Sequence, residues 1–160
     1  MLSGMDRARQ VIKSLINKLD DCSEVFKRFK TEYQKTIKDA FNTQGATFGK
    51  KWAAYSLSYR KWKQKHGNKP KLRLSEKLFE ATQGGPGWFE RIGKKDIVIG
   101  ITSFIPYARI HQRGGDAGRG NKAHIPQRAF FLNYDNKTIP VRALNFLADD
   151  LTRELNKAAQ

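Results

Sequence analysis

Carboxylates are missing from the middle of this chain: residues 40–75 hold nine Lys or Arg and not one Asp or Glu. That absence argues against a hydrolytic or nucleolytic centre there, because Mg²⁺ sites and general acid–base pairs are built from carboxyl oxygens. Cysteine is nearly absent as well. Cys22 stands alone, so an intrachain disulfide and a cysteine-based metal site are both excluded. It falls in an apolar helical stripe and reads as a small buried hydrophobe. No continuous apolar run reaches membrane-spanning length, and the opening MLSGMDRARQ has no apolar core of a secretion signal. These absences predict action in a reducing cytoplasm, without a membrane partner.

What the chain does have is positive charge. Its 160 residues carry 31 Lys and Arg against 15 Asp and Glu, a net charge of +16. The surplus is uneven. Residues 76–96 and 135–160 balance at four against four, whereas 97–134 hold five bases and one acid. A basic block raises the local potential and attracts nucleic acid or an acidic protein surface, although a solvated face that aids solubility has the same composition.

The length suits one domain, 1–160, comprising an N-terminal helical arm over 1–43 and an α+β core over 44–160. In the arm, Ile12, Leu15, Leu19, Cys22, Phe26, Phe29, Tyr33, Ile37 and Ala40 recur at steps of three and four, an apolar helical stripe that Val11, Ile16 and Val25 widen. Two readings stay open. The helix breaks near Asp20–Ser23, where Ser23 can cap a new start, or it projects unbroken onto another subunit. After Gly45–Gly49, Trp52, Tyr55, Tyr59 and Trp62 recur at helical steps among Lys50, Lys51, Arg60, Lys61, Lys63 and Lys65. The spacing predicts an aromatic and basic helix over 50–65, its aromatics serving as core or as base-stacking platforms. A short leucine-rich helix around Leu72–Phe79, begun by Ser75, follows.

Beyond Trp88 the period changes. Asp96–Ile101 reads as a buried strand reached through a Lys94-Lys95-Asp96 hairpin turn. Tyr107–Gln112 reads as a second strand, with Tyr107, Arg109 and His111 on one face and Ala108, Ile110 and Gln112 on the other. A glycine-rich loop over 113–124 has too few apolar side chains to bury itself and is expected to be mobile until a neighbour orders it, with Arg113, Arg119 and Lys122 making it positive. Gln127–Tyr134 is expected to be a strand or an extended segment. Pro140 suits the first turn of a final helix carrying Leu144, Leu147, Leu151 and Leu155. The expected fold is α+β: a long N-terminal helix and shorter helices, a small antiparallel sheet, and a C-terminal helix packed on it.

Catalytic constellations are hard to find. His111 and His124 flank Asp116, but the spacing matches no ligand signature. Gly114–Gly120 lacks the Gly-Lys-Ser/Thr ending of a phosphate loop, and there is no Gly-x-Ser-x-Gly. No catalytic residue, metal or cofactor is expected.

Three segments in order carry a family resemblance. They are the aromatic and basic run around Trp52, Leu57, Ser58, Tyr59 and Trp62-Lys63; Asp96-x-Val98-Ile99-Gly100 leading to Tyr107-Ala108-x-Ile110-His111-Gln112-x-Gly114; and Ile125-Pro126-x-Arg128-x-Phe130. Together the chain resembles the phage virion morphogenesis (tail completion) family of Mu-like tailed phages, of neck and tail-terminator type. Many members read Leu-x-x-Thr-Gly-x-Leu where this chain has Leu72-Arg73-Leu74-Ser75-Glu76-Lys77-Leu78. The resemblance implies a structural protein at the head–tail junction that completes or joins the tail. It implies a homo-oligomeric ring, often hexameric, around the DNA channel, assembled in the host cytoplasm. Connector or neck proteins, tail-tube or sheath proteins, and genomic DNA in the channel are the implied neighbours. Arg128, between apolar residues, is expected to brace the sheet. The alternative is a basic nucleic-acid-binding module using the helix over 50–65.

Overall fold

A computed structural model describes residues 4–67, 69–118, 120 and 123–159, with residues 4–8 described by their backbone alone. Two helices replace the single N-terminal stripe: α1 (Gly4–Asp20) and α2 (Ser23–Asn42). The break falls where two aspartates meet Cys22. The Asp21 carboxylate accepts the Ser23 N–H at 3.0 Å, so the acid rather than the serine satisfies the open end of α2. Those hydrogen bonds from Ser23 hold the Asp21 carboxyl below its ordinary range.

The remaining elements are the short helices α3 (Leu57–Lys65), α4 (Lys77–Thr82) and α5 (Ala108–Arg113), the strands β1 (Trp88–Ile92), β2 (Ile97–Ile101), β3 (Gly115–Ala117) and β4 (Ala123–Ile125), and the helix α6 (Val141–Ala158). A single 3₁₀ turn lies at Ala46–Phe48. The class is α+β, as expected, but the sheet is split into two hairpins, β1–β2 and β3–β4.

The chain divides into two compact units. One holds Met1–Tyr33, Glu90–Ile99 and Val141–Gln160; the other holds Gln34–Phe89 and Gly100–Pro140. In the first, α1 packs on α6, and Val25, Phe29, Tyr33 and Ala143 are buried. Arg28 bridges to α6, its Nε 2.8 Å from Asp150 and its Nη2 3.1 Å from Glu154. In the second, Phe41 is the hub: its ring centroid lies 5.4 Å from Trp52, 5.3 Å from Phe79 and 5.8 Å from Phe130. The contacts with Trp52 and Phe79 are edge-on and add to what burial of the rings contributes.

Two expectations are corrected here. Tyr107–Gln112 is not a strand. Ala108 and Gln112, four residues apart, are both buried on one face of α5, and six residues are too few for period two to exclude period four. Gly114 ends the helix at φ 71°, and a Cβ there would stand 2.8 Å from the Gln127 backbone nitrogen, so glycine permits both the turn and the close approach.

Gln127–Tyr134 is no strand either, because a side chain stands in for a partner strand. The buried Gln112 Oε1 accepts the N–H groups of Phe130, Phe131 and Leu132 at 3.1, 2.9 and 3.3 Å, and its Nε2 donates to Leu132 O at 2.9 Å. The Trp52 indole donates to Ala129 O at 2.7 Å, and Arg128 N–H reaches His111 O at 2.7 Å.

The two arms of the glycine-rich loop pair with each other: Gly115, Asp116 and Ala117 oppose Ile125, His124 and Ala123. Backbone hydrogen bonds need no apolar side chain, which is what composition alone misses. Arg119 and Lys122, read as basic tip residues, lie outside the described residues.

Candidate functional site

Helix α3 is shorter than the aromatic spacing predicts. Ser56 Oγ accepts the Tyr59 N–H at 3.3 Å and starts the helix at Leu57, so Trp52 precedes it and is buried in the core. The remaining aromatics form a ladder. Tyr55 meets Tyr59 edge-on at 4.8 Å, Tyr59 stacks on Trp62 at 5.5 Å, and Trp62 stacks on His66 at 4.3 Å. Trp62 is 44% exposed, so the outer end of the ladder is surface rather than core.

The basic residues separate into two groups. Lys50, Lys51, Arg60, Lys61, Lys65 and Arg113 are exposed. Lys63, expected to face a lumen or partner, points inward instead and is 3% exposed. Its Nζ donates to Lys69 O, to Pro70 O at 3.0 Å and to the Tyr55 hydroxyl at 3.3 Å, with the Tyr55 ring centroid 4.7 Å away. All three ammonium donors are engaged, so this lysine pins the 69–70 turn to α3. Burial, and then the nearby Arg128, depress its pKa. Periodicity could not have distinguished it from the lysines either side.

Beside α3, within the second unit, lies a cavity of about 650 Å³ whose lining includes Tyr55, Tyr59, Leu72, Leu74, Tyr107, His111, Ile125, Pro126 and Arg128. The resemblance motifs thus converge: Tyr107 and His111 come from α5, and Pro126 and Arg128 from the segment after β4. The other motif residues serve the frame. Ile110 is half-buried, Gln112 and Gly114 act as described, and Phe130 is core. Arg128, expected to brace the sheet, lines the cavity. It is buried at the cavity wall, with its guanidinium carbon 5.1 Å from the Tyr55 ring centroid. Desolvation lowers its pKa and, with Arg128 adding repulsion, drives His111 down to about 4. His111 is therefore neutral at physiological pH. His124, on β4, also lines the cavity and pairs with Asp116 across the hairpin at 2.9 Å.

The rim contains a departure from the family pattern. Glu76 stands at the position where many members have glycine, and its φ is +58°. A left-handed backbone is costly for a residue with a Cβ. Arg73 Nε at 2.8 Å holds this glutamate in place.

The sequence pattern of the phage virion morphogenesis family matches residues 4–152. The chain belongs to that family. It is accordingly a bacteriophage virion protein with a structural role in particle morphogenesis. No curated protein and no solved structure matches the chain. The matched span takes in α1 as well as the cavity-bearing unit, so the helical arm belongs to the family pattern and is not an appendage to it.

Proposed function

We propose that this protein completes or joins the phage tail at the head–tail junction, as a neck or tail-terminator component, by forming a ring around the DNA channel. It acts by binding, not catalysis. Its neighbours are connector or neck proteins on one side and tail-tube or sheath proteins on the other, with genomic DNA passing through. The reading is carried by family membership across residues 4–152.

Two features support it. Ile12, Ile16 and Leu19 lie three and four residues apart on α1 and are each more than half exposed, an uncovered apolar stripe suited to packing between subunits. The exposed cations Lys50, Lys51, Arg60, Lys61 and Lys65 suit a channel lining or an acidic partner face.

Cryo-electron microscopy of tailed particles grown with a tagged copy tests this. Ring density at the neck is the expected result; absence of the protein from particles overturns it.

The exposed Tyr59–Trp62–His66 ladder beside Arg60, Lys61 and Lys65 favours a second reading, a module that stacks nucleic-acid bases. That reading requires tight binding of short DNA by the free monomer with a steep loss as salt rises. The neck reading expects weak binding.

A further inference from the structure

The cavity beside α3 holds a charge that the fold leaves unanswered. Arg128 is 4% exposed, its Nε has no hydrogen-bond partner, and no Asp or Glu lines the cavity. Across from it His111 Nδ1 is also buried without a partner. A guanidinium withdrawn from water without a counter-charge is strongly destabilising, and the Tyr55 ring compensates only in part. The other titratable groups of the lining are His111, which burial keeps neutral, His124, which pairs with Asp116 at 2.9 Å, and the tyrosines Tyr55, Tyr59 and Tyr107.

We propose that this cavity is a socket for an acidic side chain, flanked by apolar residues, from a different protein of the virion. The inference rests on the structural role proposed above. A carboxylate is the group that matches a guanidinium in shape and charge, and the cavity tyrosines offer further donors. Leu72, Leu74, Ile125 and Pro126 supply apolar wall for the neighbours of that acid. The volume of about 650 Å³ falls within the range of about 300–1,000 Å³ that ligand pockets take.

A second copy of this chain is a poor occupant. Most of its described carboxylates, among them Asp20, Glu32, Glu76, Glu90, Asp150 and Glu154, are already in ion pairs within the chain. Duplex DNA is also a poor fit, because its phosphates lie on a convex surface and cannot enter a recess.

The test places a photo-crosslinking benzoylphenylalanine at Leu57, which is 71% exposed and next to the cavity-lining Ser56, in protein assembled into particles. The expected product joins Leu57 to another virion protein within a segment that carries Asp or Glu beside apolar residues. Crosslinks only to a second copy, only to DNA, or none at all while the protein is present in particles would overturn the socket and leave the neck role standing. Absence from particles would overturn both.

A measurement that needs no variant accompanies it: imidazole NMR of the purified protein with 3-methylbutanoate, and separately with the neutral 3-methylbutanamide. The carboxylate is expected to raise the His111 pKa by on the order of one unit while the amide leaves it unchanged. Equal effects of the two, or no effect of either, would overturn the acid-recognising chemistry.

Discussion

Gln112 organises the second unit through one carboxamide. Three consecutive N–H groups, Phe130 to Leu132, share its Oε1. Gln112→Leu keeps the volume and removes every one of those acceptor contacts. The expected loss is about 3–5 kcal/mol, since each buried donor left bare costs roughly 1–3, and urea unfolding followed by tryptophan fluorescence measures it. His111 sets a pH dependence at the same scale. Its folded pKa of about 4 lies below the ordinary 6.5, so the unfolded chain takes the proton first as pH falls. Stability is therefore complete above pH 6.5, declines as pH drops toward 4, and levels off below that. The total is about 3 kcal/mol by linkage. His111→Phe is expected to flatten this window in denaturation series at stepped pH. The carboxylates act lower. Glu154, held down to about 2 by hydrogen bonds from Lys18 and Lys157, contributes stability above its ordinary 4.5 that is lost as pH falls toward 2.

Elements show where local pattern suffices and where it does not. Helices α1, α2 and α6 were legible because three or more turns of apolar periodicity leave little alternative. The β1–β2 hairpin was legible from its turn, and Gly93 N–H does meet Asp96 O at 2.9 Å. Helix α5 was not, since Tyr107–Gln112 satisfies two periods at once and its partners lie beyond residue 126. Helix α1 carries the prediction at this scale. Ile12, Ile16 and Leu19 are exposed together, so Ile16→Glu removes apolar surface from the proposed subunit contact without touching the side facing α6. The mutant is expected to keep its helical circular dichroism and its melting temperature within about 3 °C, because surface changes stay near ±0.5 kcal/mol. The proposed oligomer should dissociate, as light scattering after size exclusion would show. An unchanged oligomer would exclude this stripe as the subunit contact.

For the whole molecule, the decisive property is the distribution of +16 charges. Replacing the exposed Lys50, Lys51, Arg60, Lys61 and Lys65 with Gln is expected to leave unfolding unchanged and to slow association with the proposed neck or tail partners about tenfold or more at low salt. The difference should vanish near 0.5 M salt, where screening removes steering; stopped-flow mixing distinguishes this from an effect on dissociation. Adding Lys63 to that set would unfold the 69–70 turn, because its ammonium is internal. Composition, the long helices, the family and the carboxylate-free basic block could all be read from the chain alone, since each depends on residue type or on neighbours within a few turns. The direction of Lys63, the helical state of Tyr107–Gln112, the strandless course of Gln127–Tyr134 and the union of Tyr55, His111 and Arg128 around one cavity were decided by tertiary structure. Each depends on contacts between residues far apart in sequence, and a buried cation or a side-chain hydrogen bond to a remote backbone leaves no period behind it.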